Sequence, residues 1–165
     1  MSYRRPVGQV YTAVISAVAV SAAQDIFEIV TSATSRVRIR EIRIGQYSDA
    51  GDAAAELLSV QIIIGHTTSG SGGASVTPLN VNRLTTISAS STVERNNTTI
   101  AADGTPLTLF SDAWNIQAGW WYSPDEASMI LMPVSSRLVV RSTLPADAIT
   151  MNATLTFEEV GKMVV

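Results

Sequence analysis

Few side chains in this sequence can carry chemistry, and their spacing narrows what they could do. His66 is the single histidine and cysteine is absent. Cys–His chemistry, disulfides and thiolate-bound metals are therefore excluded. A Ser–His–Asp triad would have to use His66, which abuts HTTSGSGGAS, a stretch expected to be a flexible loop. The glycines of GSGG at 70–73 lack the Lys-Ser/Thr pair and strand-to-helix setting of a phosphate loop. Asp49, Asp52 and Glu56 could converge on a hard cation. Their spacing matches no EF-hand, however, and aspartates in a turn more often bind their own backbone. The adjacent acids Asp125–Glu126 and Glu158–Glu159 fall on opposite faces of a strand and make a poor glycosidase pair. The expectation is no catalytic residue, no metal and no cofactor: the chain is not expected to be an enzyme.

What remains is charge and aromatic surface. Arg36, Arg38 and Arg40 share a face by strand alternation, and Arg43 follows just beyond. Guanidinium groups about 6.5–7 Å apart repel one another, so the row needs compensation. The candidates are phosphate, acids of the same chain such as Glu28 or Glu158, or acids of a neighbouring chain. A net charge of −3 and a row without interleaved aromatics argue against nucleic acid. The same charge gives no pull toward an anionic membrane. Ten of the eleven basic residues are arginine, with Lys162 alone. That bias suits protein contacts and fixed ion pairs, although genome base composition would produce it too. Trp114, Trp120, Trp121 and Tyr122 hold most of the large aromatic surface. Neighbours in a strand point opposite ways, so only one of Trp120 and Trp121 can be core. The other is left for a subunit interface, a sugar platform or a covering loop.

These groups need elements to position them. The opening RRPVGQVYTAVISAVAVSAAQ has the layout of a secretion signal. Its run is nevertheless interrupted by Thr12 and Ser16, is β-branched and contains no leucine. It is also short of the roughly 20 apolar residues of a membrane helix. Apolar residues on both faces predict a first strand over Val10–Val20, buried on both sides. A short second strand follows over residues 26–31. In SRVRIREIRIGQ, Val37 and Ile39 share one phase, while Ile42 and Ile44 take the other, which predicts a β-bulge near Arg40–Glu41. AAAELL is one helical turn or a lead into the strand ELLSVQIIIG. Residues 76–100 read as polar, extended and loop-rich. TPLTLFSD is a strand, GWWYSPDE a strand end turning a corner, and MILMPVSSRLVVRS two short strands divided near Pro133. MNATLTFEEV alternates cleanly, with Met151, Ala153, Leu155 and Phe157 inward and Asn152, Thr154, Thr156 and Glu158 outward.

Eight or nine short strands without a helical period predict an all-β fold, an antiparallel β-sandwich. A jelly roll of about eight strands is the expected version, with an immunoglobulin-like sandwich as the alternative. At 165 residues and 46% hydrophobic, the chain can bury one core. The expected organisation is an N-terminal strand or arm over 1–23 and the sandwich over 24–165.

Four segments together, IREIRIGQYSDAGDAAAELLSVQI, STVERNNTT, QAGWWYSPDE and LVVRSTLPADAITMNATLTFEE, resemble small structural proteins of tailed bacteriophages. The resemblance spans most of residues 24–160 and implies a jelly-roll sandwich attached to the virion, without catalytic residues. It implies a capsid decoration, or cement, protein on the outer surface of the head, assembled in the bacterial cytoplasm. The expected partners are the major capsid protein and copies of the chain itself, as a homotrimer, with no direct nucleic acid and no membrane. The alternative is a receptor- or carbohydrate-binding module of a tail or fibre. The expected contacts between chains are Arg4, Arg5, Arg36, Arg38, Arg40, Arg43, Trp120 or Trp121, and Val164 and Val165. Termini fray unless held, and terminal valines would otherwise be exposed.

Overall fold

The computed structural model describes residues 8–47, 56–84, 86–143, 145–146 and 148–160. Twelve strands are present among them: β1 (Gln9–Val20), β2 (Gln24–Val30), β3 (Arg36–Gln46), β4 (Leu57–Ile64), β5 (Ala74–Val76), β6 (Leu79–Asn80), β7 (Thr92–Asn97), β8 (Leu107–Asn115), β9 (Trp120–Tyr122), β10 (Leu131–Met132), β11 (Arg137–Ser142) and β12 (Ile149–Val160). They form two antiparallel six-stranded sheets packed as a sandwich. The first runs β10-β3-β12-β1-β6, with β9 also paired to β3; the second runs β5-β7-β2-β11-β4-β8. The pairings nest: β1 with β12, β2 with β11, β3 with β9 and β10, and β4 with β8. No helix of the described residues is long and apolar enough to cross a membrane.

The bulge in β3 lies where the phase change demands it. Thr156 of β12 faces Glu41 and Phe157 faces Ile39, which leaves Arg40 as the extra residue. Val37 and Ile39 before it, and Ile42 and Ile44 after it, all reach the core. β12 alternates as expected in Met151, Ala153, Leu155 and Phe157, all buried. β9 and the strands on either side of Pro133 also form where expected.

The first strand is not buried on both sides. Tyr11, Ala13 and Ile15 face the core, whereas Val14 and Ser16 are exposed. A register shift between Ile15 and Val18, with Ala17 at φ 52°, then moves Val20 inward. The two apolar phases of the sequence are thus one core face before the bulge and another after it. β1 pairs with β12 through ten positions and lies inside its sheet.

Tyr11 stacks on Phe157, with ring centroids 5.6 Å apart, yet its hydroxyl is buried without a hydrogen-bond partner among the described residues. Burial, and secondarily the charge of Glu159, raises its pKa above 10.0. Removing an unsatisfied buried polar group relieves its desolvation cost, so Tyr11→Phe should stabilise the fold by about 1 kcal/mol. The pH dependence follows. At neutral pH the phenol is un-ionised in folded and unfolded chains alike, and the variant's gain is constant. As pH rises past 10.0 the unfolded chain ionises first, and stability falls until the pH passes the raised pKa of the folded chain. Tyr122, also raised by burial, contributes in the same window. Urea melts at successive alkaline pH values should therefore show a shallower decline for Tyr11→Phe than for the wild type.

Candidate functional site

The arginine row is largely answered within the chain. Glu158, buried although its phase points it outward, receives Arg40 at 2.7 Å and Arg38 at 3.3 Å on one carboxylate oxygen. Its other oxygen accepts the Gly8 N–H at 3.0 Å. The register explains this, because Glu158 faces Arg38 across the sheet and the bulge brings Arg40 alongside. Glu28, the other acid considered for this role, is engaged elsewhere. Arg43 pairs with Glu41, and its guanidinium lies 4.5 Å from the Trp121 ring centroid. Arg36 is exposed and has no ion pair among the described residues. The repulsion argument for an outside partner therefore survives at Arg36 alone.

The paired tryptophans separate as strand geometry requires. Trp120 is 7% exposed and joins Phe110 and Tyr122 in the core, and its indole N–H reaches Asp112 at 3.1 Å. Trp121 is 61% exposed, with Arg43 over one face of its ring.

The loop expected to be flexible is a covering layer. Thr68 bridges Ala102 and Ser71 bridges Thr99, so residues 66–72 and 98–105 form a ribbon over the outer face of the second sheet. Beneath it, Ile63, Ala101 and Val139 make a second small apolar cluster. The ribbon is pinned by two fully buried acids. Glu28 accepts Arg137 at 2.6 Å, the Ser69 hydroxyl at 2.6 Å, the Gly70 N–H at 2.9 Å and the Asn97 amide at 3.2 Å. Asp25 accepts Arg141 at 2.7 Å and the Ala101 N–H at 2.7 Å. Gly73 lies so close to the Arg95 carbonyl that a Cβ could not be accommodated. This close approach, with the acid-anchored N–H of Gly70, gives the glycine-rich stretch a structural role. Also contrary to the loop-rich reading of 76–100, β7 forms there and carries Asn97 to this layer.

Sequence reasoning missed this network. A signal existed, since Asp25 and Glu28 sit in the apolar strand QDIFEIV and a buried acid requires a cation. Their spacing of three puts them on opposite faces of a regular strand. A register shift that skips Ile26 against β11 undoes that opposition.

His66 places its Nδ1 3.4 Å from the Asp103 carbonyl, with Nε2 buried and without a partner among the described residues. No group of three His, Cys, Asp or Glu that could hold a metal occurs among the described residues. Asp49 and Asp52 of the candidate cation loop lie outside the described residues, as do Arg4, Arg5, Val164 and Val165.

One end of the sandwich gathers the remaining features. Register places Gln9 opposite Glu159, Val160 opposite Arg36, and Val37 opposite Met132. Beside them runs the segment after β6, tied by the Val81 N–H to Val10 and by the Asn80 amide to Gln9. Asn80 and Asn82 each accept the N–H two residues on, at 2.9 and 3.1 Å, so the turn is held from within. It presents Leu84 at 96% exposure, with Val81 and Ile87 also open to solvent. Leu131 of β10 and Val134 just after it, at the opposite edge of the same sheet, are exposed as well. Sequence reading missed this apolar group because its residues sit in a polar stretch without strand alternation. Comparison with protein-family models, curated proteins and solved structures finds no match to this chain.

Proposed function

We propose that this protein is a structural component of a tailed-bacteriophage virion, a capsid decoration protein that docks on the assembled head and links capsomers. The observation that carries this reading is the clustering at one end of the sandwich. Arg36, the apolar turn around Leu84 and Ile87, Leu131 and Val134 all lie there. Several large apolar side chains exposed at one end of a sandwich, three of them at a turn held from within, favour a protein-binding surface. The nested strand pairing is that of a long hairpin rolled up, and this supports the jelly-roll form of the sandwich.

The mechanism is linkage. A surface that binds the assembled shell and not separated subunits stabilises the shell by mass action. A homotrimer would multiply modest contacts through effective concentration. Its partners are the major capsid protein and its own copies, and its place is the outer capsid surface. The test mixes purified protein with heads assembled from the major capsid protein alone, followed by sedimentation. Saturable binding in multiples of three, with raised resistance of the heads to heat, is the expected result. A protein that stays monomeric and leaves the heads unbound would rule the proposal out. The alternative, a receptor- or carbohydrate-binding module of a tail or fibre, is favoured by one observation, the exposed ring of Trp121.

A further inference from the structure

Four strands of the first sheet place Val14, Thr154, Arg43 and Trp121 side by side on its outer face. With strands about 4.8 Å apart, this row spans about 14 Å. Next to it lies a row of small or neutral residues: Ser16, Asn152 and Gly45. At Gly45 an added Cβ would meet nothing within 4 Å, so the floor of the sheet is open there. Hollows of about 370 and 220 Å³ lie on either side of Arg43 and share Arg43 and Ile44 in their walls. Together they make a trough from β1 to Trp121.

We propose that this trough binds a neutral saccharide, one sugar ring stacking on the face of Trp121 that Arg43 leaves open and another lying over Gly45. The chemistry of the walls selects the class. Trp121 is held in orientation by Arg43, which covers one face of the ring and is itself paired to Glu41, so the indole presents its opposite face as a fixed flat surface. The C–H face of a pyranose matches such a surface. The hydroxyls of Ser16 and Thr154 donate and accept. The Asn152 carbonyl oxygen is already taken by the Ala17 N–H at 2.7 Å, which leaves its amide N–H₂ to donate. Glu41 answers the charge of Arg43, so nothing in the trough selects an anion. Nucleic acid, which needs a track of unpaired cations, is disfavoured on that ground. A protein partner would meet a floor of neutral hydroxyl and amide groups instead of an apolar core. The trough lies at the middle of the strands, away from the end gathered around Arg36 and Leu84. Its ligand is therefore independent of head binding.

The test titrates the free protein with malto-, cello- and chito-oligosaccharides and with a glycan array. Binding is read by calorimetry and by quenching of the red-edge tryptophan emission of Trp121. Saturable binding to at least one series is expected, weakened at least tenfold by Trp121→Ala and by Gly45→Val. Gly45→Val narrows the trough at a strand position where an added Cβ meets nothing within 4 Å, so its melting temperature should stay close to the wild type. Absence of binding to every glycan, or binding that survives both substitutions, overturns the proposal. Neither result depends on whether heads are bound.

Discussion

Glu28→Ala should destabilise the protein by about 3–5 kcal/mol, because it strands a largely buried guanidinium and the buried Gly70 N–H. Arg137 keeps only the His66 carbonyl, at 3.2 Å, while the Gly70 N–H, the Ser69 hydroxyl and the Asn97 amide lose their bonds to the carboxylate. For a domain of this size each kcal/mol moves the melting temperature by about 2–4 °C, so a fall of about 6–20 °C is expected. Glu28→Gln, which keeps an acceptor but no charge, should fall between the two. Replacing both Glu28 and Arg137 by apolar residues should recover part of the loss, since no lone charge is left behind. Recovery will be incomplete, because the Gly70 N–H still lacks its acceptor, at about 1–3 kcal/mol. Hydrogen exchange supplies the local readout: amides of residues 66–72 and 98–105 should lose protection before those of β3 and β12. Equal loss throughout would mean that the acid supports the whole sandwich and not the ribbon.

This network also marks the limit of what the sequence disclosed. β12 and the bulge at Arg40 were legible because the phase of apolar residues is set locally, by which side chains face the core. The opposition of Trp120 and Trp121 was legible for the same reason. β7 was not: TVERNN contains one apolar residue, Val93, and its other buried member, Asn97, is covered by the ribbon and not by the opposite sheet. The partners of Asp25 and Glu28 stand 116 and 109 residues away. Only the register of β2 against β11 brings them together, and that register depends on a bulge that no local pattern announces. For the arginine row, Glu158 was foreseeable as a partner, since it alternates to the outer face of the adjacent strand. That it would take two guanidinium groups was not, because the bulge rotates Arg40 toward it. The turn around Leu84 escaped notice for a different reason. Sequence patterns identify apolar residues that will be buried at home, and these are not.

Leu84→Asp combined with Ile87→Asp should abolish association with heads while leaving the domain folded. Both side chains project from the chain into solvent, at 96% and 54% exposure, so their replacement removes little internal packing. Surface changes of this type usually alter stability by no more than about 0.5 kcal/mol. At a protein contact the reckoning differs. A well-buried anchor contributes about 2 kcal/mol or more on truncation, and a carboxylate in its place adds desolvation without a partner. Two anchors per chain at that level weaken binding by about a thousandfold, and a trimer would lose the avidity built on them. Sedimentation with heads at several protein concentrations reads the occupancy, and a thermal melt of the free protein reads the fold. Arg36→Glu is the companion variant for charge, because Arg36 has no ion pair among the described residues to disrupt. Arg38→Glu would instead set an acid against Glu158 inside the fold, confusing docking with stability. If the aspartate variant still saturates heads like the wild type, the end of the sandwich gathered around Leu84 is not the docking surface. If instead it melts early, Leu84 and Ile87 pack within their own chain, and the stiffness assigned to this turn by Asn80 and Asn82 has another origin.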